Sequence, residues 1–393
     1  MKKKILIFGG TGLFGINFLS YFNKDFEITV NYNSKKFFHP NIKYIKVNLN
    51  KYDDILTSIN KVKPDIIINA CAKTDIDWCA ANVKTSYAIN VSLAEKLAAI
   101  SKIKGIYFVQ ISSDHLFSGK VKFKTEKHDK NPLNVYAKQK SEAEDLVIKN
   151  NKSTLIIRTN FFGYSQDKKN NFITESISRL EDKKLVFAFT DYFYTPIYIT
   201  NFLGILRKLI SKKATGILNI VGNERVSKYE FLLKVSKIFN LDYRKIKPTL
   251  ISKSKLACKR HADLSLSNNF LRKKYKIKVP NLNDQIKTFY KEKKKNNVFN
   301  NFFNYGRHFT DKQDENSILE VVKKGALTQG PKILDSEKII ANYVGSKYAV
   351  AVSSCTAGLH LAGKVCGLSK EKNLLTTPIS FVATSNAAFY CNA

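Results

Sequence analysis

Short, continuous apolar runs alternate with amphipathic runs through the first 160 residues of the chain. Continuous apolar runs are typical of strands buried on both faces of a parallel sheet, and apolar residues three and four apart are typical of the helices that cover it. This alternation predicts an α/β fold of the Rossmann type, with a doubly wound parallel sheet. We predict strands over residues 4–8, 27–31, 42–47, 64–70, 106–111 and 154–158, with helices between them that include 88–99 and 136–149.

The pattern changes twice after residue 160. Helical runs at 202–210 and 228–239, separated from the sheet by aromatic and polar loops, predict a smaller lobe over residues 161–290 that is partly interleaved with the sheet domain over 1–160. Lysine and asparagine dominate residues 291–301, so we predict a linker over 291–303. A segment of different character follows over 304–393.

Composition excludes several classes of protein. The 393 residues are 44% hydrophobic, yet no apolar run approaches the roughly 18 residues that a membrane span needs. The six cysteines show no metal-ligand spacing, so we expect a reduced, cytoplasmic protein with no metal site and no membrane partner. The net charge of +34 comes from lysines scattered through every segment, which favours a solvated surface over a specific nucleic-acid site.

The glycine-rich turn after the first strand is the first candidate site. Gly9, Gly12 and Gly15 lie between an apolar strand and a helical run. Glycines let the backbone approach a diphosphate closely, and a helix N-terminus supplies amide donors and the positive end of its dipole. This context predicts a dinucleotide site.

The end of the second strand bears on which dinucleotide binds. NAD-specific proteins usually carry an acid there that binds the ribose hydroxyls. The stretch from Asn31 to Lys36 contains no acid, and a lysine there could meet a 2′-phosphate. We place Asn31 in the cofactor site and expect NADPH or NADH, with NADPH used at least as well.

A serine, a tyrosine and a lysine form the second candidate site. Ser113 follows the strand at 106–111, and Tyr136 and Lys140 lie four apart on one helix face. A lysine ammonium beside a tyrosine lowers the pKa of the phenol, which can then protonate a carbonyl oxygen while a hydride reaches the carbon. Ser113 can hold the same oxygen, because open α/β sheets bind ligands at such strand ends.

A series of motifs extends along about residues 1–292: Gly9-x-x-Gly12-x-x-Gly15, Asn69-Ala70-Cys71-Ala72-Lys73-Thr74-Asp75-Ile76-Asp77, Ile111-Ser112-Ser113-Asp114, Asn134-Val135-Tyr136, Arg158-Thr159-Asn160 and Gly216-Ile217-Leu218-Asn219. Together they resemble the extended short-chain dehydrogenase/reductases, specifically the dTDP-4-dehydrorhamnose reductase type. The resemblance implies an NAD(P)-binding Rossmann domain over 1–160 and a substrate-binding lobe over 161–290. It also implies that the 4-keto group of a nucleotide-linked 6-deoxy sugar is reduced, in the synthesis of surface polysaccharide precursors.

The resemblance assigns roles to individual residues. The implied catalytic set is Ser113, Tyr136 and Lys140. The implied cofactor-binding residues are Gly9, Thr11, Gly12, Phe14, Gly15, Ala70, Cys71, Ala72, Asn90, Tyr136 and Lys140. The implied substrate-binding residues are Thr74, Asp77, Asp114 and Asn160. A homodimer is left open.

Two alternatives stay open beside the reductase. One is an epimerase or dehydratase of the same superfamily; a dehydratase calls for an acid pair near Ser113, and Asp114 is followed by His115 instead of Glu. The other is a catalytically idle nucleotide-binding regulatory subunit. The intact serine, tyrosine and lysine set favours an enzyme.

The segment over 304–393 carries motifs of its own: Leu327-Thr328-Gln329-Gly330-Pro331, Ser354-Cys355-Thr356-Ala357 and Thr377-Pro378-Ile379-Ser380-Phe381. They resemble the N-terminal part of the PLP-dependent nucleotide-sugar aminotransferases, in which the Ser-x-Thr-Ala turn caps a helix and holds the cofactor phosphate. The lysine that binds PLP in that family lies further along its sequence. We therefore expect an incomplete α/β segment that does not hold PLP.

Overall fold

The computed structural model describes residues 2–22, 25–32, 42–164, 171–254, 257–296, 311–324, 330–378 and 380–393. The chain divides into two compact units, Met1–Asn301 and Phe302–Ala393, and each is described separately. Within the described ranges, no helix has both the length and the apolar character needed to cross a membrane.

Thirteen strands are described in the first unit, and seven of them form its main sheet. In chain order they are β1 Lys4–Phe8, β2 Glu27–Tyr32, β3 Lys43–Lys46, β4 Ile66–Asn69, β5 Tyr107–Ile111, β6 Leu155–Arg158, β7 Phe161–Phe162, β8 Val186–Phe189, β9 Phe193–Tyr194, β10 Ile197–Tyr198, β11 Gly216–Asn219, β12 Val226–Ser227 and β13 Ile246–Thr249. The main sheet has the order β11-β6-β5-β4-β1-β2-β3, and every neighbouring pair in it is parallel.

Helices cover both faces of this sheet. In chain order the helices of the first unit are α1 Leu13–Phe22, α2 Tyr52–Val62, α3 Ile76–Ala81, α4 Val83–Tyr87, α5 Leu93–Ile103, α6 Val135–Asn150, α7 Phe172–Glu181, α8 Ile199–Ser211, α9 Lys228–Phe239, α10 Asn269–Tyr275 and α11 Leu282–Asn296. Residues Ala88–Ser92 form a π-helical turn between α4 and α5, and short 3₁₀ turns lie at Tyr243–Lys245 and Ile251–Lys253.

Alternate residues of each central strand enter two different cores. In β1, Ile5 and Ile7 pack with α1 and α8, while Leu6 and Phe8 pack with α2, α5 and α6 on the other face. Strands with two buried faces need apolar residues at every position. Burial on both faces therefore explains the continuous apolar runs, and the predicted doubly wound α/β sheet is confirmed.

The predicted lobe over 161–290 is woven into the sheet domain. β11 forms an edge of the main sheet beside β6, and Phe202 and Phe231 belong to the same core as Phe14. The remaining short strands pair as β10 with β7, β12 with β9 and β13 with β8. The division at residue 160 stays a prediction about function, since packing is continuous across it.

The structure differs from the predicted linker over 291–303. α11 continues to Asn296, and Glu292 accepts hydrogen bonds from the Tyr198 hydroxyl at 2.7 Å and the Thr200 hydroxyl at 2.8 Å. Lys293 pairs with Glu181. These contacts hold a lysine-rich helix end on the first unit, so its composition was misleading. Residues 297–303 lie outside the described residues.

The second unit contains four helices in its described ranges: α12 Lys312–Lys324, α13 Pro331–Val344, α14 Cys355–Val365 and α15 Ala383–Tyr390. Its described residues, 311–324, 330–378 and 380–393, include no strand. Large apolar side chains on it, such as Val350, Leu375 and Phe389, are exposed. The predicted motif at 327–329 lies outside the described residues.

Candidate functional site

The sheet order brings the predicted residues to one edge. β1, β4, β5 and β6 are consecutive neighbours in the sheet and all run in the same direction, so their carboxyl ends lie side by side. The glycine turn follows β1, residues 70–77 follow β4, Ser113 follows β5 and Asn160 follows β6. This is the edge at which open α/β sheets bind ligands.

Close packing requires glycine at two positions of the turn, Gly9 and Gly15, whereas Gly12 faces open space. Gly9 has a φ of +91°, and a Cβ there would lie 2.6 Å from the carbonyl carbon of Ala70. A Cβ on Gly15 would lie 2.2 Å from the Cα of Gly10. At Gly12, by contrast, only the Gly9 carbonyl oxygen would be within 4 Å, at 3.6 Å.

The protein itself therefore does not require glycine at position 12. Gly12 and Thr11 are exposed, directly before the first turn of α1. An open backbone at a helix N-terminus fits the diphosphate of a dinucleotide. The residues present thus fit a nicotinamide cofactor at this turn.

Asn31 positions this turn from the end of β2. Its side-chain oxygen accepts a hydrogen bond of 2.9 Å from the Gly9 amide, and the residue is buried. Phe14, also predicted to bind cofactor, points its side chain into the aromatic core beside Phe18, Phe161 and Phe202. The side chain of Phe14 is therefore a packing group. Residues 33–36, used to predict the cofactor preference, lie outside the described residues.

The segment after β4 forms a second wall. Ala70, Cys71 and Ala72 are half-buried, and burial raises the pKa of the Cys71 thiol to about 12 against the opposing charges of Lys140 and Lys73. Cys71 is thus an uncharged part of the wall.

Asn90 fixes this wall instead of presenting a free group. It lies in the π-helical turn, where its oxygen accepts from the Lys73 amide at 2.8 Å. Its nitrogen donates to the Lys73 carbonyl at 3.0 Å and to Gln139 at 2.9 Å. These contacts make Asn90 a positioning residue for the wall, and its predicted contact with the cofactor stays a prediction.

Asp77 is likewise committed to the protein. Arg260 binds its carboxylate with both terminal nitrogens, at 3.1 and 2.8 Å, and the Cys258 amide donates at 3.0 Å. Arg260 holds the pKa of Asp77 below its usual value. Asp77 thereby joins the wall to residues 258–260, and its predicted substrate role stays a prediction. Thr74 is exposed.

Ser113, Tyr136 and Lys140 come together as predicted. Asn134 caps α6 by accepting from the Ala137 amide at 3.0 Å, which sets Tyr136 in the first turn. The Ser113 side chain lies close enough to the Tyr136 phenol to lower its pKa. One turn later, the buried Lys140 ammonium donates to the Ile111 carbonyl at 2.8 Å, at the end of β5.

The electrostatics of this trio differ from the prediction. Burial raises the pKa of Tyr136, and the neighbouring Ser113 only partly opposes this. Lys140 is not among the groups that shift the tyrosine pKa, which besides burial are Ser113, Asp114 and Cys79. Burial lowers the pKa of Lys140 itself to about 8, with Glu144 and Cys71 acting in the opposite direction.

Asp114 and Asn160 form a polar patch beside the trio. Asn160 donates to the Asp114 carboxylate at 2.5 Å, and burial raises the pKa of Asp114 to about 6. The next residue, His115, lies 3.4 Å from the Tyr192 hydroxyl, and burial lowers its pKa to about 3. His115 is therefore a neutral wall residue at pH 7.

A buried ion pair supports the helix that carries the trio. Arg158 contacts both carboxylate oxygens of Glu144, at 3.0 Å through Nε and 2.7 Å through Nη2. The Ser112 hydroxyl donates to the same carboxylate at 2.6 Å. Glu144 lies on the same face of α6 as Tyr136 and Lys140.

Sequence analysis missed Glu144, Tyr192, Lys228 and Arg260. No motif marked them, and their contacts depend on the folded arrangement. Among the residues that the structure describes, no cluster of His, Cys, Asp or Glu could hold a metal ion.

Comparison with known proteins agrees with this geometry. The family model described as RmlD substrate binding domain matches residues 2–295. The chain belongs to this family, as the motifs indicated. The dTDP-4-dehydrorhamnose reductase of Aggregatibacter actinomycetemcomitans is 26% identical over 200 residues, covering 49% of this chain and 67% of that protein. The methionine adenosyltransferase 2 subunit beta of Mus musculus is 25% identical over 255 residues, covering 63% and 75%.

The fold has a solved counterpart in Bacillus anthracis. The dTDP-4-dehydrorhamnose reductase of that organism, in complex with NADP, superposes with a TM-score of 0.67. The match covers 74% of this chain and 100% of that one at 22% identity, so it shows that the two chains share a fold.

The second unit matches another family. The model of the DegT/DnrJ/EryC1/StrS aminotransferase family matches residues 309–393, which confirms the second resemblance. The spore coat polysaccharide biosynthesis protein SpsC of Bacillus subtilis is 37% identical over 94 residues, covering 24% of this chain and 24% of that protein. The chain therefore spans about a quarter of the length of this relative.

We expect Gly12→Ala to separate cofactor binding from folding. The added methyl meets no protein atom closer than 3.6 Å, so stability should change by less than about 1 kcal/mol. The same methyl would occupy the diphosphate surface and should weaken NADPH binding at least about tenfold. Calorimetric titration and thermal melting measure the two effects. Gly15→Ala is the control and should melt early; unchanged NADPH affinity in Gly12→Ala would contradict the assignment.

Replacing Glu144 by Gln tests the buried ion pair. Arg158 would keep its charge in a buried setting without a counter-ion, which typically costs about 3–5 kcal/mol. We expect the free energy of unfolding, measured with urea, to fall by about 3 kcal/mol. Asp145→Asn, one residue further on the same helix, removes a surface partner of Lys130 and should cost at most about 1 kcal/mol. Equal losses in the two variants would show that the buried pair is not special.

Proposed function

We propose that the first unit reduces the 4-keto group of a nucleotide-linked 6-deoxy sugar with NADPH or NADH, in the synthesis of surface polysaccharide precursors. The observation that carries this proposal is the trio at the end of β5: Ser113 beside Tyr136, with Lys140 one turn further along α6. The open glycine turn lies two strands away at the same sheet edge. The reductase named among the relatives supports the same reaction class.

The roles of the three side chains follow from their chemistry. A nicotinamide cofactor, which the turn around Gly9 and Gly12 would hold, would supply the hydride for the carbonyl carbon. Tyr136 gives its phenolic proton to the carbonyl oxygen, and Ser113 holds that oxygen by a hydrogen bond. Lys140, anchored on the Ile111 carbonyl, keeps a positive charge one turn from the phenol and can bind a ribose hydroxyl. One hydride and one proton convert the ketone into an alcohol.

Burial suits Tyr136 to the role of an acid. Its raised pKa keeps the phenol protonated at neutral pH, so the proton is present when the ketone binds. Burial also makes the phenol a weaker acid, which the neighbouring Ser113 offsets in part. His115 and Cys71 are both uncharged at pH 7, so neither adds a charge beside the phenol.

The second candidate function is that of a regulatory subunit. The matched methionine adenosyltransferase subunit beta covers more of this chain than the matched reductase does. A subunit of that kind would need the nucleotide site and not the trio. Of the two candidates, the trio favours the reductase, and turnover of a keto sugar decides between them. A dehydratase is disfavoured because His115, not an acid, follows Asp114.

The test of the proposed function is NADPH oxidation in the presence of nucleotide-linked 4-keto-6-deoxy sugars. We expect turnover by the wild-type chain and a loss of about 10²–10⁴-fold in kcat for Tyr136→Phe, because the proton donor is removed. NADPH affinity should be unchanged in the variant. The ratio of kcat/KM with NADPH to that with NADH should be at least one. Turnover by Tyr136→Phe at the wild-type rate would remove Tyr136 from the reaction.

The lowered pKa of Lys140 predicts a pH profile. Its ammonium loses a proton near pH 8 instead of 10.5, so the rate of ketone reduction should fall as pH rises through about 8. The decline is measured as initial rates from about pH 6.5 to about pH 9.5, a range that spans the lowered pKa of a buried lysine. Lys138→Met, on the exposed side of α6, should keep this profile. A rate that stays level to the upper limit would contradict the assigned role of Lys140.

A further inference from the structure

Lys228 occupies an unusual position next to the candidate site. It is the first residue of α9, whose start is fixed by a capping box between Ser227 and Glu230. Its backbone amide donates to the Tyr192 carbonyl at 3.1 Å. A cation in the first turn of a helix opposes the helix dipole, so the position is not explained by helix stability.

The ammonium of Lys228 is surrounded by aromatic rings. Its Nζ lies 4.0 Å from the ring centre of Tyr194, 4.5 Å from that of Phe172 and 5.5 Å from that of Tyr192. Ring faces attract a cation without using its N–H donors. The three rings therefore hold the charge in place and leave its hydrogen bonds available.

The other buried or partly buried lysines near the site behave differently. Lys124 donates to the Asp263 carbonyl, Lys130 to the Ser141 carbonyl and Lys140 to the Ile111 carbonyl, at 2.8, 2.9 and 2.8 Å. Lys228 has no hydrogen-bond acceptor and no ion-pair partner within the part of the chain that the structure describes. The ammonium N–H groups of Lys228 are thus available to donate to an oxygen of a ligand.

Tyr192, one of the three rings around this ammonium, carries a hydroxyl that lies 3.4 Å from His115, the residue after Asp114. Asp114 and Lys228 influence each other's protonation, and Lys228 also acts on His115, whose ring lies 5.6 Å from that of Tyr136. Asp114 already accepts from Asn160 and Ser113, and each of its oxygens can accept one more hydrogen bond. The site therefore presents an acceptor and a donor near the point where the carbonyl would lie.

We propose that Lys228 is a specificity-determining residue that donates a hydrogen bond to a hydroxyl group of the substrate's sugar ring. The proposal rests on the function proposed above, which places a sugar ketone at Ser113 and Tyr136. A neutral hydroxyl fits better than a carboxylate, because the neighbouring Asp114 would repel an anion. The diphosphate is a poorer fit, because Tyr192 lies between the Lys228 ammonium and His115, two residues after Ser113.

The test compares a nucleotide-linked sugar with the nucleotide alone. Calorimetric titration with saturating NADP⁺ measures the affinities of dTDP-rhamnose and dTDP, and of UDP-glucose and UDP, for the wild type and Lys228→Met. Methionine retains the length and packs well against aromatic rings. We expect the variant to bind the sugar-linked nucleotide about 10- to 100-fold more weakly, since a hydrogen bond from a charged group is lost, and the free nucleotide equally well.

Each other result overturns the assignment. An equal loss for the free nucleotide would place Lys228 at the diphosphate, and no loss would remove it from the site. Wild-type protein that binds neither sugar-linked nucleotide better than its free nucleotide would show that no ring hydroxyl is recognised. Lys237→Met, on the exposed side of α9, is the matched control and should bind like the wild type. Should Lys228→Met fail to fold, Lys228→Gln is measured with the same ligands.

These binding data stay valid if the reduction itself is not observed. A wild-type chain that oxidises no NADPH with any keto sugar would reject the proposed reaction. The comparison of dTDP-rhamnose with dTDP would still report whether Lys228 contacts the sugar. The two failures are therefore distinguishable.

Discussion

The buried pair of Arg158 and Glu144 is the constraint on which the site depends. Arg158 ends β6, Glu144 lies in the middle of α6, and Ser112 at the end of β5 donates to the same carboxylate. Two strand ends and one helix are thereby fixed to each other through a single side chain. Because Tyr136 and Lys140 precede Glu144 by two turns and one turn on the same helix face, the pair also sets their distance from the sheet edge.

Fixing the site by buried polar contacts also determines its acid–base chemistry. The same burial that orders α6 raises the pKa of Tyr136 and lowers that of Lys140 to about 8. The sequence-based expectation assigned the tuning of the tyrosine to the lysine. In the structure, desolvation acts more strongly on the phenol, and the lysine charge is bound to a backbone carbonyl. Burial, more than any single neighbour, sets the protonation of this trio.

Local pattern was enough to predict the sheet, the glycine turn and the trio, because each depends on residues that are close in sequence or at one sheet edge. The role of Asp77 was not predictable, since its partner Arg260 lies 183 residues away. The protein contacts of Asn90 were not predictable either, because they depend on Lys73 and Gln139 across three elements. The lysine-rich end of α11 was predicted to be a linker for the same reason. The residues that hold this helix end in place are distant from it in sequence.

The charge of the chain illustrates why a site must be read locally. A net charge of +34 suggests a uniformly cationic molecule, yet the cations around the candidate site differ in their partners. Arg158 is neutralised by Glu144 and Arg260 by Asp77, each through two nitrogens, so both cations are structural. Among the described residues Lys228 has no such carboxylate partner, and its ammonium lies over the faces of three rings. A cation that is held in place but not hydrogen-bonded is the kind of group that can discriminate between ligands, because its contact forms only when the right oxygen arrives.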